Sequence, residues 1–103
     1  MPAEIHSDEV ALKWSKPMSN GADITHYTVY IRNVNSNGTV RDWRKLEVIY
    51  DVFAREYVVT LEKGHQYDLV VTATNKYGES LKEQHNIKRI NVFGGTIIRI
   101  SFN

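Results

Sequence analysis

The chain has 103 residues, 42% hydrophobic and 24% charged, with thirteen Lys and Arg against twelve Asp and Glu. That length holds one domain with one core, the apolar content excludes a disordered chain, and the near balance of charge excludes a dedicated nucleic-acid or membrane-surface binder, whose affinity comes from surplus cations. Cysteine is absent, which excludes disulfides, thiol catalysis and thiolate metal sites and leaves the compartment open. No stretch approaches the ~20 apolar residues that span a bilayer, and Met1 to Val10 is too polar for a secretion signal, so a secreted parent would contain this chain as an excised piece.

In chain order, Val10, Leu12 and Trp14 alternate with Ala11, Lys13 and Ser15, the period of two that puts three large apolar groups on one face of a strand. Pro17 and Asn20-Gly21 then reverse the chain. Alternation returns with Tyr27, Val29 and Ile31 on one side and Thr28, Tyr30 and Arg32 on the other. The run Asn35-Ser36-Asn37-Gly38 predicts a hairpin turn, since Asn-Gly between extended segments supplies the backbone freedom a tight reversal needs.

From Thr39 to Phe53 the apolar residues Trp43, Leu46, Val48, Ile49 and Tyr50 fit neither a strand period nor a helical one, which predicts an edge strand followed by an irregular link. The pattern is clean again afterwards. Tyr57, Val59 and Leu61 share a face, Lys63-Gly64 turns the chain, and Tyr67, Leu69, Val71 and Ala73 share the next face. A further turn surrounds Gly78. No amphipathic helix, repeat or low-complexity tract interrupts the series, and evenly spaced strands with turns between them predict an all-β sandwich.

From Val10 to about Ser80 the residues resemble the fibronectin type III domain. The landmarks are Val10-Ala11-Leu12-Lys13-Trp14, Pro17, the run Gly21 to Val29 containing Tyr27-Thr28-Val29, Tyr57-Val58-Val59-Thr60-Leu61, Gly64 to Tyr67, and Val71 to Ser80. Leu61 and Tyr67 are similar to that family's tyrosine corner, in which the phenol bonds back to the backbone upstream. The resemblance implies a seven-stranded antiparallel two-sheet sandwich over residues 1–92, with Trp14, Tyr27, Val29, Tyr57, Leu61, Tyr67, Leu69 and Val71 in the core. Two departures stand out. Only Ile5 precedes Val10 where the family places a full first strand, and the chain runs past Val92, where the last strand should finish. Residues 93–103 form a C-terminal extension in which Ile98, Ile100 and Phe102 alternate with Ile97, Arg99 and Ser101. A lone strand of this kind is unstable in water. It is expected to begin a following domain, to pair with another copy and so form a homodimer, or to fold onto an edge of its own domain.

Catalytic chemistry finds no support in the pattern. Histidines at 6, 26, 65 and 85 stand far apart with no second ligand at metal spacing, no Asp-x-Asp-x-Asp run suits calcium, and no Gly-x-Ser-x-Gly elbow presents a nucleophile. Phe93-Gly94-Gly95 lacks the strand-loop-helix setting of a phosphate loop. The expectation is a chain that is no enzyme and carries no cofactor or metal. Three features suit contact instead. Asn37-Gly38-Thr39 satisfies the N-glycosylation rule, although Asn-Gly also suits a tight turn. Arg41, Trp43, Arg44 and Lys45 bring three cations and an indole together, diluted by Asp42 and Glu47. Tyr77 stands in the loop between the last two strands. No Arg-Gly-Asp motif occurs.

The function these readings imply is a non-catalytic interaction and spacing module of a multidomain adhesion molecule, receptor ectodomain or matrix protein, bound to protein partners outside the cell, with neither nucleic acid nor membrane insertion involved. The alternatives are a module of an intracellular, muscle-type scaffold, or an accessory domain of a secreted polysaccharide-degrading enzyme.

Overall fold

The computed structural model describes residues 7–16, 23–95 and 97–102. The expected turn at Pro17 and Asn20-Gly21, together with Ile5, His6, Thr96 and Asn103, lies outside the described residues. Eight strands follow one another: β1 (Ser7–Trp14), β2 (His26–Val34), β3 (Arg44–Ile49), β4 (Glu56–Glu62), β5 (His65–Asn75), the two-residue β6 (Gly78–Glu79), β7 (Lys88–Val92) and β8 (Ile97–Phe102). The only helical element among the described residues is a single 3₁₀ turn, Gln84–Asn86, between β6 and β7. This is an all-β sandwich, with eight strands where the sequence implied seven.

The smaller sheet has the order β4-β1-β8, and the larger has β3-β2-β5 with β6 and β7 both paired to β5. β5 gives one edge to β2, so β6, facing Thr74 and Asn75, and β7, facing His65 to Leu69, share the other edge. The last strand implied by the resemblance is thus two segments interrupted by the stretch that holds the 3₁₀ turn. The structure also accounts for the missing period after Thr39. β2 and β3 slip register between Val29 and Tyr30, which face Glu47 and Lys45, so Leu46 is the extra residue of a β-bulge and turns toward the core.

Two ends of the sandwich follow from these registers. One end gathers the end of β1, the start of β2, the link of residues 50–55 and the β5–β6 turn, because Lys13 faces Glu56, His26 faces Thr74 and Asn75 faces Gly78. The opposite end gathers the Asn35–Thr39 turn, the Lys63-Gly64 turn and the crossing from β7 to β8.

Between the sheets, the alternation read from sequence becomes burial. Val10, Leu12 and Trp14 of β1 pack with Tyr27, Val29 and Ile31 of β2, Leu61, Tyr67, Leu69 and Val92, and the Trp14 and Tyr27 rings lie 5.5 Å apart in a tilted pair. Tyr57 and Val71, also expected in the core, are only partly buried against it. The Tyr67 phenol is hydrogen-bonded to the backbone of Glu62, the corner the sequence implied. Burial raises the pKa of that phenol above its ordinary value, with the Glu62 charge adding to the effect.

β8 lies against β1 in parallel, Val10 facing Ile98, Leu12 facing Ile100 and Trp14 facing Phe102. Between β7 and β8, Gly94 (φ 91°) and Gly95 (φ 82°) hold left-handed conformations that side chains with a Cβ resist. Ile100 and Phe102 enter the core and Ile98 packs beside them, while Ile97, Arg99 and Ser101 face water. Of the three fates expected for this strand, the one the structure contains is pairing with its own domain.

Candidate contact surface

Three large aromatic side chains stand in solvent at the end defined by residues 50–55 and the β5–β6 turn. Phe53 is 84% exposed, Tyr50 73% and Tyr77 71%. Chain chemistry explains why they project. In the link, the Asp51 carboxylate accepts the Phe53 N–H at 3.0 Å and the Asp51 carbonyl accepts the Ala54 N–H at 3.0 Å, so a tight turn holds Val52 and Phe53 at its tip. Arg55 fastens the link from below, donating to the Val52 carbonyl at 2.9 Å, the Ala54 carbonyl at 2.6 Å and the Tyr27 hydroxyl at 3.3 Å. All three bonds are made by Nη1. A shallow hollow beside the link is lined by Ile24, Tyr27, Val52, Phe53 and Arg55, with Lys16 and Asp23 at its rim.

On the neighbouring turn, the Asn75 side chain accepts the Tyr77 N–H at 2.8 Å, and Lys76 places its ammonium 5.2 Å from the centre of the Tyr77 ring. Tyr50 stands 5.5 Å from the His26 ring. The end therefore offers aromatic rings on two separate loops, each loop fixed by its own Asx hydrogen bond and mounted on paired strands. Tyr77, singled out in the sequence for its place in the loop, is exposed there. Tyr50 and Phe53 were not singled out, although an apolar residue in a segment with no strand or helix period is the signal that marks them.

The basic cluster read from the sequence is spread over two environments. Arg41 is exposed near the opposite end, beside a hollow that also meets Asn33, His65, Gln66, Asn91 and Phe93. Arg44 donates to the Asn33 side chain at 2.8 Å, and Lys45, exposed, faces Tyr30 across the β2–β3 pair. Trp43 lies half-buried with the guanidinium of Arg32, a residue of β2, 4.1 Å from its ring centre.

That Arg32 belongs to a network on the outer face of the larger sheet. Asp68, 1% exposed, accepts from Arg32 Nε at 2.9 Å and from Arg89 Nε and Nη2 at 2.8 and 3.2 Å. Burial pushes the Asp68 pKa up, but the hydrogen bonds and charges of Arg89 and Arg32 outweigh it and hold the carboxyl below its ordinary range. Further along the same face, Glu79 accepts from the Tyr30 hydroxyl at 2.6 Å and from the Thr72 hydroxyl at 2.5 Å, and Lys82 sits 3.9 Å from the Tyr30 ring centre. Burial and that bond to Glu79 raise the Tyr30 phenol to about 12. For Glu79, burial works upward too, yet the two hydroxyl donors, with Lys82 and Lys45, leave its pKa lowered. Asp68 and Glu79, the two carboxylates described on this face, are each answered by neighbouring donors.

No group of three or more His, Asp or Glu able to hold a metal forms among the described residues. Ile98, Ile100 and Phe102 pack inside the domain, as described above. Asn37 stands exposed at the tip of the β2–β3 hairpin, at the end opposite the aromatic loops.

Comparison with curated proteins and with solved structures found no match. The family model of the fibronectin type III domain matches residues 2–89, which span β1 to the start of β7 and leave β8 outside the match. With that match over most of the chain, and with the two-sheet sandwich and tyrosine corner in place, the chain belongs to the fibronectin type III family.

Proposed function

We propose that this domain is a non-catalytic protein-contact and spacing module of an extracellular multidomain protein, and that it meets its partner through the end carrying Tyr50, Phe53 and Tyr77. Domains of this family are commonly interaction modules in multidomain proteins. The observation that carries the reading is the exposure of three aromatic rings on two rigidly fastened loops at one end. Ordered, exposed Tyr and Phe give large contact area at small conformational cost, and aromatic residues dominate the energetics of protein interfaces. Exposed at this level they add little to folding, so a role in contact explains their presence better than a role in packing.

The test compares the wild-type chain with Tyr50→Ala, Phe53→Ala and Tyr77→Ala in capture of binding proteins from extracts of the source tissue. Truncating a central interface aromatic costs about 2 kcal/mol or more, a loss of roughly 30-fold in affinity for each one that is central. All three variants should melt with the parent. Capture unchanged in all three variants, and in the variant that combines them, refutes the assignment of this end.

A further inference from the structure

We propose that Asn37 is an N-glycosylation acceptor, presented for modification by the β2–β3 turn. The turn spans Asn35 to Thr39: the Gly38 N–H donates to the Asn35 carbonyl at 2.9 Å and the Asn35 N–H to the Thr39 carbonyl at 2.7 Å. Asn followed by Gly is the usual demand of a type I′ hairpin, in which both central residues hold positive φ. That demand is absent here. Among the described residues only glycines have positive φ, and in this turn Gly38 alone (φ 88°) does so. Asn37 therefore sits in an ordinary backbone region, where the turn does not call for asparagine.

What its side chain supplies to the turn is one acceptor. Asn37 Oδ1 receives the Thr39 hydroxyl at 2.7 Å and the Thr39 N–H at 3.1 Å, a role Asp fills equally well. The same arrangement places the hydroxyl of the third sequon residue directly against the amide of the first. It also leaves Asn37 Nδ2, the atom to be modified, with no hydrogen bond among the described residues. Asn37, Gly38 and Thr39 are all exposed, so the acceptor amide and the threonine that a glycosyltransferase must read are open together.

In the reaction, Asn37 Nδ2 forms a bond to the anomeric carbon of an oligosaccharide carried on a lipid diphosphate. The carbon–oxygen bond to the diphosphate breaks with its electron pair, and Nδ2 gives up one proton. The product places a glycan at the end opposite Tyr50, Phe53 and Tyr77, where it leaves the proposed contact loops clear.

The inference concerns the turn itself, so its test is independent of the contact reading. The chain is expressed behind a cleavable secretion leader in animal cells, and total protein, secreted and cell-retained, is analysed by gel mobility and peptide mapping. A slower band that an amide-cleaving glycosidase collapses, with Asn37 converted to Asp, is the expected result. Asn37→Asp and Thr39→Val should abolish the shift and Thr39→Ser should keep it. Asn37→Asp, which retains the turn's acceptor, should melt with the unglycosylated wild type. Wild-type protein with no glycan at Asn37 in either fraction overturns the proposal, whatever the aromatic variants do.

Discussion

Replacing Phe102 by Ala tests whether β8 belongs to the fold. Phe102 is 4% exposed, lies opposite Trp14 in the parallel ladder and is part of the central cluster, so truncation removes a full aromatic contribution and leaves a void beside the Trp14 ring. Phe to Ala in a core costs about 3 to 5 kcal/mol, and an edge strand that can partly relax should fall near 3. At roughly 4 to 8 °C per kcal/mol for a domain of this size, the midpoint should drop by about 12 to 24 °C. Ile97→Ala is the control. At the other end of β8, on its wet face and 54% exposed, it should change stability by no more than ~0.5 kcal/mol. Calorimetry and urea unfolding of the two variants give both numbers. A chain ending at Gly95 loses Ile100, Phe102 and the β1–β8 ladder together, which should consume most of a total stability of about 5 to 15 kcal/mol. If Phe102→Ala and Ile97→Ala prove equally mild, β8 does not pack on β1 and the argument fails. Sedimentation of the whole chain adds a second check, since a strand used up within its own sheet leaves the protein monomeric unless its open edge recruits a copy.

Asp68→Ala strands the largely buried Arg32 and should cost about 3 kcal/mol by denaturant unfolding. Because the folded pKa values of Asp68 and Glu79 lie below ordinary carboxylate values, their stabilisation is complete above about pH 5 and is lost as pH falls through those lowered values; the acid limb of a stability–pH curve should flatten in Asp68→Asn. At the alkaline side, Tyr30 is held neutral to about 12, so its contribution is intact below pH ~10 and lost as pH rises from there toward 12. Ultraviolet titration should show a late-ionising phenol that disappears in Tyr30→Phe. Trp14→Ala should cost about 3 to 5 kcal/mol, whereas Trp14→Phe should cost clearly less, because it removes the buried indole N–H that finds no acceptor among the described residues. Equal losses in those two variants would mean that the orphaned donor is satisfied in solution.

Much of the fold could be read from period alone. Val10, Leu12 and Trp14, Tyr27, Val29 and Ile31, and Tyr67 and Leu69 alternate because a two-sheet core buries every second residue, and burial follows the pattern. Where reading failed, a specific geometry intervened. The bulge at Leu46 breaks the alternation of β3, so its boundaries were invisible. The outer face of the larger sheet is covered too, with Val70, Thr72 and Asp68 buried beneath Tyr30 and the arginines, and a rule that assigns one wet face to each sheet does not anticipate that. For β8 the alternation was evident but the partner was not, since a strand's own sequence carries no record of which edge it joins. The aromatic end was only half legible: Tyr77 stood in a recognisable loop, while Tyr50 and Phe53 belong to a link whose turn is set by Asp51 and Arg55.

The parallel pairing of β8 with β1 has a consequence for how the chain reaches this structure. Its contacts join the two extremes of the described sequence, so the smaller sheet is completed only when the last strand arrives. Contacts of such long sequence separation slow folding, since loop closure must come before they can repay it. On a ribosome the β1–β4 pair emerges early and keeps one edge of β1 open until β8 is made, an interval in which that edge can accept a strand from elsewhere.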